Sequence, residues 1–205
     1  MKRLIALFSA LFLAGSLTFA QTNDDIESEQ PIVSQDISFN MNEPGDQFIK
    51  IGLMVTFPLN FGGSFPLFRD GQLSTGGAGQ LGYHRFINKW MAWGIDIAFG
   101  YNPTIGSNVF TYVPLMFNFM FQPTYKKFEF PITAGVGSAM ETYLNNTYFP
   151  GLVLKGQAGV FYRVNPSWSF GIEGDFTYMP QWYKDSSKND YGIFGSALIS
   201  ARYHF

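Results

Sequence analysis

From residue 47 to the C-terminus, large apolar side chains recur at every second position. Between 48 and 57, one register holds Ile49, Ile51, Leu53, Val55 and Phe57, and the other holds Lys50, Gly52, Met54 and Thr56. A period of two belongs to an extended strand, whose side chains point alternately to its two faces. The alternation returns in 75–85, 91–102, 113–122, 128–137, 152–163, 168–178 and 191–205. These eight runs have roughly the length a tilted strand needs to cross a bilayer. No stretch of 18 apolar residues occurs among them, which excludes a spanning helix. Pro114 and Pro131 fall inside two runs, where each removes a ladder donor, so bulges or strand ends are expected there.

Alternation alone does not say which register faces outward, because a soluble barrel shows the same period. Charge decides it. Residues 47–205 hold only 8 acids and 11 bases, too few to coat a soluble barrel of that size. The minor register is rich in Gly, Ala and Ser, which suits the narrow interior of an eight-stranded barrel. Aromatic residues make up 19% of the chain, and they gather at the ends of the runs. Trp90, Tyr162 and Trp168, with Phe121, Tyr125, Phe128 and Tyr203, lie near one set of turns. Tyr101, Tyr178 and Tyr191, with Tyr112, Tyr148 and Phe149, lie near the other. Two such belts are what anchoring at the bilayer interfaces predicts.

Loop lengths agree. The turns at Asn88-Lys89, Pro123-Thr124 and Asn165-Pro166 are short, whereas 58–74, 103–108, 141–148 and 179–190 are mostly longer. Outer-membrane barrels keep short turns in the periplasm and longer loops outside. The expected fold is therefore all-β: a closed antiparallel eight-stranded transmembrane β-barrel over 47–205.

The residues ahead of the barrel divide in two. Lys2 and Arg3, an apolar stretch over 4–17 and Thr18-Phe19-Ala20 read as a signal peptide, 1–20, for export through the Sec pathway to the outer membrane. Residues 21–46 then carry seven acids and no Lys or Arg. Such a segment buries too little to order itself, and a flexible periplasmic segment is expected, with docking or plugging as the sharper reading.

The ending Gly195-x-Ala197-x-Ile199-x-Ala201-x-Tyr203-x-Phe205 resembles the C-terminal signal by which outer-membrane barrels are recognised for insertion. That resemblance implies the barrel-assembly machinery as a partner during biogenesis. The whole of 47–205 resembles the small eight-stranded outer-membrane proteins of the OmpX, OmpW and OmpA-domain kind. Tyr101-Asn102-Pro103-Thr104-Ile105-Gly106-Ser107-Asn108 and Ser200-Ala201-Arg202-Tyr203-His204-Phe205 look like spirochaetal members. The resemblance implies fold and compartment, with the lipid bilayer as partner, and many members have no settled activity.

Composition narrows the chemistry. The chain has no cysteine, which excludes disulfides and thiolate metal sites, and only two histidines, so no cofactor or metal is expected. A net charge of -2 argues against nucleic acid. The interior register holds Lys50, Asp96, Glu129, Lys155, Arg163, Glu173, Asp175 and Arg202, read as a structural ion-pair network because buried charges persist when paired. The same charges argue against a lumen that carries hydrophobic compounds. Neither His84 nor His204 has an obvious nucleophile beside it in sequence, so no enzyme is expected. Phe61, Phe65 and Phe68 in one outer loop, and Trp182 and Tyr183 in another, are candidate contacts for an extracellular ligand or host factor. The expected function is a structural or surface-interaction role through the outer loops, with a narrow channel for small solutes as the alternative.

Overall fold

The computed structural model describes residues 41–62, 73–104, 106 and 108–205. The expected signal peptide, most of the acidic segment, and Phe65 and Phe68 lie outside the described residues. In chain order the strands are β1 (Gln47–Phe61), β2 (Gly76–Phe86), β3 (Met91–Pro103), β4 (Val109–Phe121), β5 (Thr124–Tyr125), β6 (Phe128–Glu129), β7 (Ile132–Tyr143), β8 (Asn146–Asn165), β9 (Trp168–Gln181) and β10 (Asp190–His204). All pairings are antiparallel. The two-residue strands β5 and β6 form a small hairpin in one turn, and the eight long strands make the wall. The ring closes where β1 pairs with β10, from Phe48 opposite His204 to Phe61 opposite Gly192. Closure leaves no sheet edge along the ring, the condition a strand structure must meet in hydrocarbon.

The two prolines act differently. The run 128–137 is not one strand: it breaks at Phe130-Pro131, and β7 starts at Ile132 and runs on to Tyr143. Pro131 has no N–H to continue a ladder. Pro114 stays inside β4, opposite Ala139 of β7. On its other side the β3–β4 ladder lapses between the pairs Ile97–Leu115 and Gly100–Tyr112 and resumes in the same register. The expected loop 141–148 is also corrected. Pairing of β7 with β8 continues to Tyr143 opposite Asn146, so only Leu144-Asn145 turns the chain, with Leu144 at φ 53°. A bulge between Ala139 and Glu141 shifts the register below this turn.

Two of the short turns share one device. Asn88 Oδ1 accepts from the backbone N–H groups of Trp90 and Met91, both at 2.9 Å. Asn165 Oδ1 accepts from Ser167 at 3.0 Å and Trp168 at 2.9 Å. A short side-chain acceptor thus replaces a backbone partner where the chain reverses.

Burial follows the alternation but inverts the order of a soluble protein. Leu53 and Ile172 are about two-thirds exposed, while Lys50 and Arg202 are almost fully enclosed. Dozens of exposed Ile, Leu, Val and Phe side chains form a continuous apolar exterior, far beyond the patch a soluble monomer shows. Glycines make the packed interior possible. A Cβ on Gly94 would stand 2.2 Å from His84 Cδ2, and one on Gly100 would stand 2.2 Å from Tyr112 Cζ. Each site holds glycine because a large lumen side chain lies flat against its backbone.

Candidate functional site

The lumen is filled in layers. At the end that carries the short Asn88 and Asn165 turns, Phe48, Phe86, Ala92 and Met120 form one buried apolar cluster. Phe48 stacks on His84 with ring centroids 4.8 Å apart and meets His204 at 5.2 Å. Residues just ahead of β1 close over this end. Asn42, at φ 62°, is buried and accepts from Arg163 Nη2 at 2.8 Å, and Gly45 N–H donates to Phe86 O at 2.9 Å.

Above lies a string of alternating charge. Arg163 Nε donates to Glu129 Oε1 at 2.6 Å, and Glu129 Oε2 is 3.5 Å from Arg202 Nη1. Arg202 Nη2 reaches Glu173 Oε1 at 3.4 Å, whose other oxygen is 3.6 Å from Lys50 Nζ. Lys50 in turn stands 3.8 Å from Asp96 Oδ2, which accepts from Lys155 at 2.9 Å. Seven of the eight interior charges therefore form one connected chain. The eighth, Asp175, is half-buried and has no Lys, Arg or His within 4.0 Å among the described residues; Thr177 Oγ1 donates to it at 3.4 Å. Neutral groups complete the layer: Gln122 accepts from Arg202 at 2.7 Å, Gln157 from Lys50 at 3.3 Å, Ser200 donates to Glu173 at 2.8 Å, and Gln80 donates to Asp96. Sequence reasoning named the charges and missed these partners. They sit in the same inward register, which was the available signal.

The outer half of the lumen is apolar. Leu73, Phe110, Tyr112, Met116, Ala139, Val153, Met179 and Phe194 make a second cluster, with Phe110 and Phe194 stacked at 6.3 Å. Tyr112 is therefore a lumen residue and not a member of the outer belt. It lies in the inward register of β4, and a belt position requires the outward one. Phe61 is corrected likewise: β1 runs on to include it, and it packs edge-on against Phe194 at 5.5 Å. A cavity of about 40 Å³ remains between the layers, bordered by Gln80, Asp96, Lys155, Asp175, Tyr112 and Phe194. That is room for ~3 waters.

One histidine does meet a hydroxyl. Ser169 Oγ is 2.9 Å from His204 Nε2, a pairing across strands that sequence distance concealed. Ser169 has no exposed surface.

The remaining predicted residues sort by register. Trp90, Tyr101, Tyr162 and Trp168 are exposed on the outer wall, and Tyr178 packs on Tyr191 at 5.8 Å. Ala197, Ile199, Ala201 and Tyr203 face outward along β10, and Phe205 exchanges backbone hydrogen bonds with Gln47 at 3.0 and 3.2 Å. At the outer mouth, Trp182 is exposed and Tyr183 is half-buried. The Tyr183 hydroxyl is pushed above its usual range, first by burial and then by neighbouring Tyr148, Glu141 and Asp190. In the same connection, Asp185 accepts from the Ser187 hydroxyl at 2.7 Å and its N–H at 3.1 Å, which holds the carboxyl below the usual carboxylate range.

A family model matches residues 23–203. An uncharacterized protein of Treponema pallidum (strain Nichols) is 29% identical over 214 residues, taking in 96% of this chain and 94% of that one. Neisserial surface protein A shares the fold with a TM-score of 0.64 at 12% identity, over 78% of this chain and 99% of its own. The outer membrane protein OprG from Pseudomonas aeruginosa follows with a TM-score of 0.52 at 13% identity, over 81% and 98%. The chain has the fold of the small eight-stranded outer-membrane β-barrels. In membrane barrels of this fold the outward register faces hydrocarbon, and this chain's outward register is the apolar one. The Treponema relative agrees with the spirochaetal resemblance.

Proposed function

We propose that this outer-membrane barrel serves as a structural and surface-interaction protein, presenting its outer loops rather than conducting solutes. The observation that carries this reading is the filled lumen. Two apolar layers enclose the charge string, and the cavity left between them is about 40 Å³. A path for small solutes needs continuous water, which stacked Phe48, Arg202, Tyr112 and Phe194 displace. The outer end, by contrast, offers exposed apolar side chains: Leu144, Phe149 and Trp182 are each more than half exposed. The Ser169–His204 pair supports no hydrolytic role, because the hydroxyl is enclosed and no carboxylate among the described residues is hydrogen-bonded to the imidazole.

Planar-bilayer recording of the purified protein tests this. Baseline current is expected; steady, selective conductance would establish the narrow-channel alternative. Export by the Sec pathway with cleavage before Gln21 and insertion directed by Ala197, Ile199, Ala201, Tyr203 and Phe205 belong to the same proposal. N-terminal sequencing of the mature protein reads the first. Phe205→Ala, which keeps the two backbone hydrogen bonds to Gln47, reads the last, with slower assembly in cells and little change in stability once folded.

A further inference from the structure

Among the described residues, Arg85 alone brings a charge to the outward register of the eight long strands. It stands on β2 between buried His84 and Phe86, so it is exposed on the outer wall, opposite Trp93 of β3 and Gln47 of β1. A cation on a lipid-facing wall is costly at the bilayer midplane. Near the interface it is tolerated, because a long side chain reaches the headgroups. The neighbouring rings mark that depth. Trp93 lies edge-on to Tyr83 at 6.4 Å and stacks on Phe117 at 6.2 Å, and Trp90 lies edge-on to Phe121 at 6.3 Å. Tryptophan and tyrosine in the outward register of a membrane barrel belong at its interfaces.

Three more bases adjoin Arg85 at this end of the barrel. Lys89 is exposed in the β2–β3 turn, and Lys126 and Lys127 are exposed at the tip of the β5–β6 hairpin. The two turns are neighbours, since Gln122 N–H, at the exit of β4, donates to Trp90 O at 2.6 Å. None of the four bases has a carboxylate within 4.0 Å among the described residues, whereas each of the four lumen bases does. Outside the lumen, the described acids at this end are Glu43 and Asp46, ahead of β1, and the terminal carboxylate of Phe205. The sector from β2 to the β5–β6 hairpin is therefore basic without compensation.

We propose that Arg85 and Lys89, with Lys126 and Lys127 beside them, form a binding surface for the phosphate of an anionic phospholipid. A guanidinium grips two phosphate oxygens at once, and lysine adds charge that follows the headgroup. A zwitterionic headgroup brings its own cation, which four uncompensated bases repel, so a net-negative lipid is favoured. An acidic polypeptide fits the lysines but not Arg85, which lies on the wall between Tyr83 and Ile87, where the neighbour is a lipid and not water. The inference rests on the outward register meeting a bilayer, and it is indifferent to whether the lumen conducts. Steady conductance would overturn the closed-lumen reading and leave this one untouched.

The test uses tryptophan fluorescence of the barrel in phosphatidylcholine vesicles. Trp168→Phe with Trp182→Phe leaves Trp90 and Trp93 beside the surface as reporters. A minor share of the lipid is replaced by phosphatidylglycerol or phosphatidylcholine carrying bromine on its acyl chains, which quenches rings in contact with it. Brominated phosphatidylglycerol should quench more, matching an enrichment of roughly threefold or more at low salt that shrinks as salt is added. Arg85→Gln with Lys89→Gln should bring the two lipids close to equality, and Arg85→Lys should keep part of the preference. Equal quenching by both lipids in the unaltered surface overturns the assignment, as does a preference unchanged in Arg85→Gln with Lys89→Gln. A preference that emerges only after residues 21–40 are deleted also overturns it, and assigns the surface to that acidic segment. If the two-tryptophan chain does not fold, the same comparison on the four-tryptophan chain decides. Flotation with the vesicles keeps the outcomes separate: a chain that does not float with them contradicts the bilayer placement, and one that floats without lipid preference contradicts this surface alone.

Discussion

The guanidinium carbon of Arg202 sits 3.4 Å from the ring centroid of Phe161 and 4.8 Å from that of Phe48. The cation is clamped between two aromatic faces while its nitrogens reach Glu129, Glu173 and Gln122. A charge so enclosed is the keystone of the interior: it joins the periplasmic apolar cluster to the string of ion pairs above. Removing it leaves Glu129 with Arg163 alone and Glu173 with Lys50 alone, and the interior with three bases against four acids. Arg202→Ala should therefore lower unfolding stability by about 3–5 kcal/mol, measured by urea titration of the barrel in detergent. Arg202→Ala combined with Glu173→Gln should lose less than Arg202→Ala alone, because the interior then holds three bases and three acids and Glu129 keeps Arg163. A larger loss in the double variant would contradict this account of the string.

Glycine position separates lumen from lipid. Gly94→Ala drives a methyl to 2.2 Å from the His84 ring, and overpacking of that kind costs about 1–3 kcal/mol. Gly156 faces outward with nothing within 4 Å of a built Cβ, so Gly156→Val should change stability by less than about 0.5 kcal/mol. The temperature at which each variant loses its compact migration in SDS gels reads the difference.

On the closed-lumen proposal, the outer apolar plug and the charge layer would each exclude solutes. Tyr112→Ala with Phe194→Ala should destabilise the barrel, as large-to-small changes in a packed interior do, yet leave bilayer current at baseline. Steady current from this double variant would mean that the charged layer alone admits ions.

The absence of cysteine makes orientation easy to read. Trp182→Cys should react with a membrane-impermeant maleimide on intact cells, and Lys126→Cys, in the β5–β6 turn, should react only after the outer membrane is opened. The reverse pattern would invert the barrel.

Asp185 predicts a local pH response. Its folded carboxyl is held below the usual carboxylate range by the Ser187 hydroxyl and N–H. The ordering it confers on 186–188 is thus fully present above the ordinary carboxylate pKa and is lost as pH falls through the lowered value. Amide exchange at Ser187 should rise in that acidic window, and in Asp185→Asn should lose its pH dependence. The barrel strands should show no parallel change.

Period two, scarce charge and paired aromatic belts were enough to read eight strands, their number, their outward register and a bilayer for solvent. These are properties of one strand at a time: alternation tells each residue its face, and composition tells which face meets lipid. Boundaries failed where a single residue overrode the pattern, as Pro131 did by withholding its N–H, or where a strand outran its apolar run, as β7 and β8 do to Tyr143 and Asn146. The inward charges were legible, but not their order. Arg163, Glu129, Arg202, Glu173, Lys50, Asp96 and Lys155 alternate in sign only once six strands are brought round one axis. Height along that axis, too, belongs to the tertiary structure. Closure with its particular register places Tyr112 and Phe194 above the charges and Phe48 below them, and it leaves Glu141 beside Gly151 with an oxygen unpaired. Local periodicity carries no information about which residues of different strands share a level, because that depends on register and tilt around the whole ring.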